Sequence, residues 1–413
     1  MTELAPPAAA QAARPQLIRA MNELLLLNQI RQLGVCSRAD LARLSGLSKP
    51  TVSLALANVE RSGLVRTAGQ RTGVPGRSAV LYEIRPEAGY VLGLDIGHEY
   101  LRGAVADLTG EIRAKAESRS PSGSVSSRVG QLIKLADGIC AAAGIGRADV
   151  TQTVLGSPGV YDPSRDAIVL TGGLPGWDRR AVLARLREAF GPNFVVENDI
   201  DAAALAEREH GHGREFASFA FVSIGSGIGM GLVLGGQLYR GDHGVAGEIA
   251  FLPIADGHGG AGETEVRKRG TLEAAGSGSA IVRSARQAGL PASSARQVFA
   301  AAAGGDERAV AIVATEARLV AKAICAIVTV IDPGLVVLGG GIGQAPGFAA
   351  LVTAELAGIS PARPEIRVSA LGTSAVVDGC LAAGADLAWG RLTAQLAQAQ
   401  ADGEGSQAPA ASP

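Results

Sequence analysis

The stretch SRADLARLSGLSKPTVSLALANVERSGL, residues 37–64, admits few structures other than two short helices joined by a tight glycine turn. Ser37 caps a first helix together with Asp40 three residues on, and Leu41 and Leu44 then fall on one buried face. Gly46 stands where the chain must turn left-handed. Ser48 caps a second helix, Pro50 sits in its first turn where a missing N–H costs nothing, and Val52, Leu56 and Val59 form its apolar stripe. The opposite face is left to Lys49, Thr51, Ser53 and Asn58. Such hydroxyl and amide groups, with Ser48 and Pro50 at the helix start, suit a helix pushed end-on into the major groove of DNA.

After Gly63, LVRTAGQRTGVPGRSAVLYEI gives two strand-like runs around a tip rich in Gly, Pro and Arg. A wing of that kind places Arg71 and Arg77 against the DNA backbone or minor groove. Residues 1–85 hold 11 Lys and Arg against 5 Asp and Glu, a net of +6, which leaves −7 for the rest of a chain whose total is −1. A basic front end on a mildly acidic body is the charge pattern of a DNA-binding domain joined to a sensor.

At 413 residues the chain exceeds one ordinary core, and two or three domains are expected. No apolar run approaches the ~20 residues that span a bilayer, and the first residues lack the basic start and apolar centre of a signal peptide. A cytoplasmic location follows as the expectation. Cys36, Cys140, Cys325 and Cys380 are scattered without metal spacing, so neither a disulfide frame nor a cysteine metal site is expected. Residues 1–15 and 392–413 are Ala, Pro, Gln, Gly and Ser tracts, expected to be disordered tails. Ile18, Met21 and Leu25 through Ile30 and Leu33 form a first helix of the DNA-binding domain, residues 16–85, with Gly34 closing it. The break at Arg85-Pro86 starts a second domain near Gly89.

Beyond that break, VLGLDIG, LRGAVADL and EIRAKAES read as consecutive antiparallel strands, a helix fills Ser126 to Ala143, and VLGSPGV is a buried strand running into a loop. The plan recurs in SFAFVSIGSGIGMGLVLGGQLYRG, a helical tract from Thr271 to Ile331 and the strand LVVLGGGI. The reading is a duplicated α/β body over residues 89–390, with lobes of 89–200 plus the C-terminal helix and 201–375, and a ligand cleft between them.

Three glycine turns stand at strand ends: Asp95-Ile96-Gly97, the loop of Gly225, Gly227 and Gly229, and Gly339-Gly340-Gly341. Glycine there lets backbone N–H groups approach an anion, as in a phosphate cradle. Asn198, Asp199, Glu248 and Glu273 lie around the expected cleft, where carboxylates take hydrogen bonds or a proton from a polyol. Two of them have a plainer reading as well: Asp199 as the cap of DAAALAERE, Glu248 as a surface ion-pair partner.

These segments resemble the ROK family (repressors, open reading frames and sugar kinases), specifically its winged-helix transcriptional regulators. The likeness covers nearly all of residues 22–390 and is most specific in GSGIGMGLVLGGQLYRGDHGVAGEI, with LSGLSKPTVS, GRSAVLYE, SPGV, LPGW, VENDIDAAALAE, LEAAGSG and LGGGI in support. The resemblance implies a hexokinase-like, actin-like body of the ribonuclease H type. It also implies a dimer or dimer of dimers on an inverted-repeat DNA operator, with carbohydrate as the signal. Asn198, Asp199, Glu248 and Glu273 match the family's sugar contacts, with Asp199 at the place of the kinase base.

Several positions depart from the family. His98 and Glu99 follow Asp95-Ile96-Gly97 where the kinases have glycine and threonine, and they crowd and repel an ATP phosphate. Phe251 replaces a metal-ligating histidine, Thr271 the last of three cysteines, and His258 alone cannot hold a tetrahedral metal, so neither zinc nor ATP is expected as a cofactor. Gly173 replaces a sugar-binding asparagine. The expected function is a DNA-binding regulator of carbohydrate genes, a repressor without kinase activity. A sugar kinase carrying a DNA-binding domain, or a regulator answering to a protein partner, are the competing readings.

Overall fold

Two helix caps written into the sequence organise the first part of the chain. The computed structural model describes residues 15–405 apart from 72–78, 122, 172–173, 175 and 255–260. Helix α1 (Pro15–Leu33) stops at Gly34, whose φ of +72° suits glycine. Strand β1 (Cys36–Ser37) leads into α2 (Arg38–Ser45), where the Ser37 hydroxyl accepts from the Asp40 N–H and the Asp40 carboxylate accepts from the Ser37 N–H. Helix α3 (Lys49–Arg61) starts at Ser48, whose hydroxyl accepts from the Thr51 N–H. Strands β2 (Val65–Arg71) and β3 (Ala79–Ile84) pair antiparallel, and β1 lies on the far side of β3. Leu26, Leu27 and Ile30 of α1, Leu41 of α2, and Val52, Leu56 and Val59 of α3 are wholly buried, each such side chain contributing about 1.5–3 kcal/mol.

The apolar faces differ from expectation in detail. Ile18, Met21, Leu25 and Leu33 are exposed, and the inward face of α1 is carried by Leu26, Leu27, Ile30 and the buried Glu23. Leu44 is likewise exposed, since one turn of α2 suffices to seat Leu41. Arg77 lies outside the described residues.

The body repeats one plan. Its first half comprises β4 (Tyr90–Ile96), β5 (Tyr100–Asp107), β6 (Ile112–Arg119), α4 (Val125–Ala142), β7 (Val150–Ser157), the small hairpin β8 (Val160–Asp162) and β9 (Ala167–Val169), α5 (Arg180–Phe190) and β10 (Phe194–Asn198). Helix α6 (Asp199–His210) crosses to the second half: β11 (Phe219–Ile224), β12 (Ile228–Leu234), β13 (Gln237–Leu238) and helices α7 (Glu263–Arg269), α8 (Thr271–Gly276), α9 (Gly278–Gln287), α10 (Ala295–Ala303) and α11 (Glu307–Ile331). Then follow β14 (Leu335–Gly339), α12 (Gly340–Gly343), α13 (Phe348–Ile359), β15 (Glu365–Val368) and α14 (Ala375–Gly405). The sheets run β10-β7-β4-β5-β6 and β15-β14-β11-β12-β13, so the halves match strand for strand. Parallel pairing of β7 with β10, and of β11 with β14 and β14 with β15, brings strand ends together where each chain leaves its sheet.

Close backbone approach fixes where those ends lie. A Cβ on Gly379 of α14 would stand 1.6 Å from the Ala202 carbonyl, so only glycine lets α14 cross α6 there. Gly340, at φ +75°, would put a Cβ 2.3 Å from the Ile224 carbonyl, and its freedom sets the turn after β14.

The described parts of Met1–Tyr90, Ala106–Glu111 and Ala385–Pro413 form one compact unit, and those of Val91–Val105 and Ile112–Gly384 the other. The turns of α14 from Ala385 onward therefore belong with the front end, contrary to the expectation that residues up to 390 belong to the body. Arg31 of α1 bonds Asp386 at 3.2 Å and lies over the Trp389 ring. Residues 392–405, expected to be disordered, continue α14; Ala and Gln are good helix formers, and Leu396 is buried. Residues 1–14 and 406–413 lie outside the described residues. No described helix is long and apolar enough to cross a membrane.

Candidate functional site

The strand ends enclose a cavity of about 410 Å³ that collects most of the residues singled out in the sequence. Asp95 lies near the end of β4 and Gly97 just after it, Asn198 and Asp199 join β10 to α6, Gly225 and Gly227 form the β11–β12 turn with Gly229 at the start of β12, Gly340 follows β14, and Glu248 and Glu273 close the wall. Gly339 stays out of it. A Cβ there would meet the Phe221 ring at 2.2 Å, so that glycine serves packing instead of an anion.

Asn198, not Asp199, caps α6: its side-chain oxygen accepts from the N–H groups of Ile200 and Asp201 at 2.9 and 3.0 Å, and its amide donates to the Gly159 carbonyl. Asp199, the next residue, lines the wall of the cavity. Burial pushes its carboxyl up to about 6, against the opposing pull of backbone N–H groups. Asp95 is pushed up to about 7 by burial and by the charge of Asp199, partly offset by Arg102, whose Nη1 donates to it at 3.3 Å. Glu248 rises to about 7 from burial first and then from Asp199 and Glu273. Carboxyls balanced in this way near neutral pH both accept and donate hydrogen bonds, which matches the paired donor and acceptor of each sugar hydroxyl.

The glycine loop is held from below. Glu273 accepts from the Ile228 N–H at 3.0 Å and from Arg269 Nε at 2.6 Å, and Arg269 also donates to the Ser226 carbonyl. The N–H of Gly225 is bonded to the Gly227 carbonyl at 2.9 Å. Two donors of a would-be phosphate cradle are therefore already occupied. His98 lies at the exposed mouth, where the cavity adjoins a second one of about 1210 Å³ lined by Glu99, Arg283, Arg286, Arg296 and Phe299.

Ser157 of the SPGV segment accepts from the indole N–H of buried Trp177 at 2.7 Å, next to Pro158 and Gly159, which line the cavity. Phe251 and Lys268 also line the wall, and the Thr271 hydroxyl donates to the Leu252 carbonyl. Gly173 and His258 lie outside the described residues.

Sequence reasoning missed Arg102, Arg269 and Leu170. Arg102 meets Asp95 only because β4 and β5 are neighbours, a register no motif announces. Arg269 had a local signal, four residues before Glu273 in a basic run. Leu170 lines the cavity at φ +56°, a left-handed conformation costing about 1–2 kcal/mol, with no mark in the sequence.

In the front end, Lys49 and Pro50 are exposed at the start of α3, while Thr51 and Ser53 are half-buried. Asn58 does not face outward: its amide donates to Glu23 Oε1 at 2.7 Å, tying α3 to α1. Arg71 ends β2 with its guanidinium 3.8 Å from Asp40.

The xylose repressor of Bacillus subtilis is 27% identical over 237 residues, 57% of this chain and 61% of that protein; the chain spans about three fifths of the length of such repressors. A crystal structure of a ROK hexokinase from Thermus thermophilus matches with a TM-score of 0.59 and 30% identity, covering 71% of this chain and 97% of that one. A ROK family transcriptional regulator, described as a homolog of the E. coli MLC protein, shares the fold over 92% of this chain and 99% of its own, with a TM-score of 0.71 and 24% identity. The ROK family profile itself matches residues 91–385, taking in both halves of the duplicated body and every residue of the acidic cavity, and the chain belongs to that family.

Proposed function

We propose that the chain is a sugar-responsive transcriptional repressor, with a winged helix-turn-helix that grips duplex DNA and a ROK body that binds a monosaccharide without phosphorylating it. The observation that carries the reading is the cavity of about 410 Å³, in which Asp95, Asp199, Glu248 and Glu273 converge while His98 stands at its mouth. Such a space fits one sugar ring, and its carboxyls suit hydroxyl groups. An ATP phosphate finds the imidazole of His98 and the carboxylate of Glu99 in place of a glycine and a hydroxyl, and finds loop donors already engaged.

The α2–turn–α3 pair, followed by the β2–β3 hairpin and combined with the +6 net charge of residues 1–85, supports a DNA grip. The protein acts in the cytoplasm as a dimer on an inverted-repeat operator. Sugar that prefers one closure of the body also prefers one spacing of the two reading heads, and operator affinity moves by the difference. The xylose repressors among its relatives favour this reading.

The kinase reading keeps one observation in its favour, the Asp199 carboxyl at the cavity wall raised to about 6, suited to a general base. One pair of measurements separates the two. Gel retardation of the gene's own upstream DNA, with and without a panel of pentoses and hexoses, should show salt-sensitive retention released by one sugar. A coupled ATP assay with the same panel should show no turnover. Turnover abolished by Asp199→Ala, without DNA retention, would reverse the assignment.

A further inference from the structure

Helix α3 turns an apolar line outward. Val52, Ala55, Leu56 and Val59 are buried, and the line opposite them runs through Pro50, Leu54 and Ala57, spaced four and three residues apart. Leu54 is 56% exposed at the centre of this line. The polar groups that the sequence assigns to reading are set off to the flanks or engaged elsewhere: Asn58 bonds Glu23, and the hydroxyls of Thr51 and Ser48 bond each other at 2.8 Å. An exposed leucine alone means little, but here it sits in the middle of the face that a reading helix presents, inside a domain whose net charge complements DNA.

A leucine side chain cannot hydrogen-bond a base edge. The apolar group that the major groove offers is the C5-methyl of thymine. We propose that Leu54, flanked by Pro50 and Ala57, reads thymine in the operator by packing on that methyl; the assignment rests on the DNA-binding reading above. Lys49 at the helix start and Arg61 at its end bracket the line; both are exposed, and Arg61 also donates to Asn58 Oδ1 at 3.0 Å.

Binding sites are selected from a random duplex pool with the full-length chain, and each thymine of the recovered half-site is replaced in turn by deoxyuridine, which removes only the methyl. At one or two positions this weakens wild-type binding about four-fold, the worth of one buried methyl. Leu54→Ala binds the thymine and uracil forms equally at those positions, with an unchanged thermal midpoint as expected of an exposed site. Equal losses in both proteins, or no loss anywhere, overturn the assignment while leaving DNA binding intact. A pool that never enriches overturns the DNA-binding reading and this assignment with it. A change in the mass of the free protein on Leu54→Ala gives the line to a second copy of the chain, and also overturns it.

Discussion

Glu273 accepts from Arg269 Nε at 2.6 Å, and this pair anchors the glycine loop, because the other Glu273 oxygen holds the Ile228 N–H at 3.0 Å. A carboxylate placed to touch a ligand is thus first a strut for the turn beneath it. Glu273→Ala should cost about 1.5–3 kcal/mol in urea unfolding, the range for hydrogen bonds to charged groups, and should weaken sugar binding even where the protein stays folded. Arg269→Ala should cost less, and the double variant should fall short of the sum by about 1 kcal/mol. Additive losses would show that the pair does not act as one unit.

Asn58 makes a parallel case in the front end. Its bond to buried Glu23 joins α3 to α1, so Asn58→Ala leaves a buried carboxyl without that donor and should destabilise the protein by about 1–3 kcal/mol. Ser53→Ala, half-buried and without a side-chain hydrogen bond among the described residues, should leave stability within about 0.5 kcal/mol. Thermal unfolding of the two variants side by side checks the contrast. An Asn58→Ala protein of native stability but altered sequence preference would return Asn58 to the reading face.

These two residues mark the limit of what the chain's sequence tells. Caps are local, so Ser37 with Asp40 and Ser48 with Pro50 announce both helix starts, and the glycine turns announce the strand ends that meet in the cavity. Periodicity says that a helix has an inner face without saying how far that face extends. For this reason Leu44 and Leu25 read as core and are exposed. Asn58 and Glu23 are 35 residues apart, and Arg102 meets Asp95 only through strand pairing, so neither contact leaves a spacing to detect. The Ala- and Gln-rich segment after residue 391 misleads for a different reason: its composition fits a disordered tail and a helix alike, and the burial of Leu396 decides.

The cavity acids make stability depend on pH with a definite sign. Asp95 and Glu248 are raised to about 7 and Asp199 to about 6, so between about pH 4 and pH 7 the folded protein holds protons that the unfolded chain has released. Their contribution is full at the acid end and lost as pH rises through the raised values. Asp95→Asn removes one of these titrations and should flatten the fall of the thermal midpoint between pH 5 and pH 8 relative to wild type. A parallel pair of curves would mean that Asp95 titrates normally.

Trp177 offers a reporter at the cavity rim. Its indole donates to Ser157 at 2.7 Å and the side chain is buried, so Ser157→Ala should cost about 1–3 kcal/mol by leaving that N–H unpaired. The chain's other tryptophan, Trp389, packs under Arg31 of α1. A sugar that settles against Pro158 and Gly159 should therefore change fluorescence in wild type and not in Trp177→Phe. A signal surviving in Trp177→Phe would place the responding residue elsewhere.

Arg71 tests the hairpin as a DNA contact. It is exposed at the end of β2, and its ion partner among the described residues, Asp40 at 3.8 Å, is too distant for a strong pair, so the guanidinium is available to a phosphate. Neutralising one phosphate releases counterions, and the plot of log affinity against log salt steepens by about 0.9 per contact. Arg71→Ala should weaken binding to all duplex sequences alike and reduce that slope by about 0.9, while leaving the selected sequence unchanged. A variant that changed sequence choice at constant slope would put Arg71 against a base edge, and the hairpin would then be part of the reading head instead of its clamp.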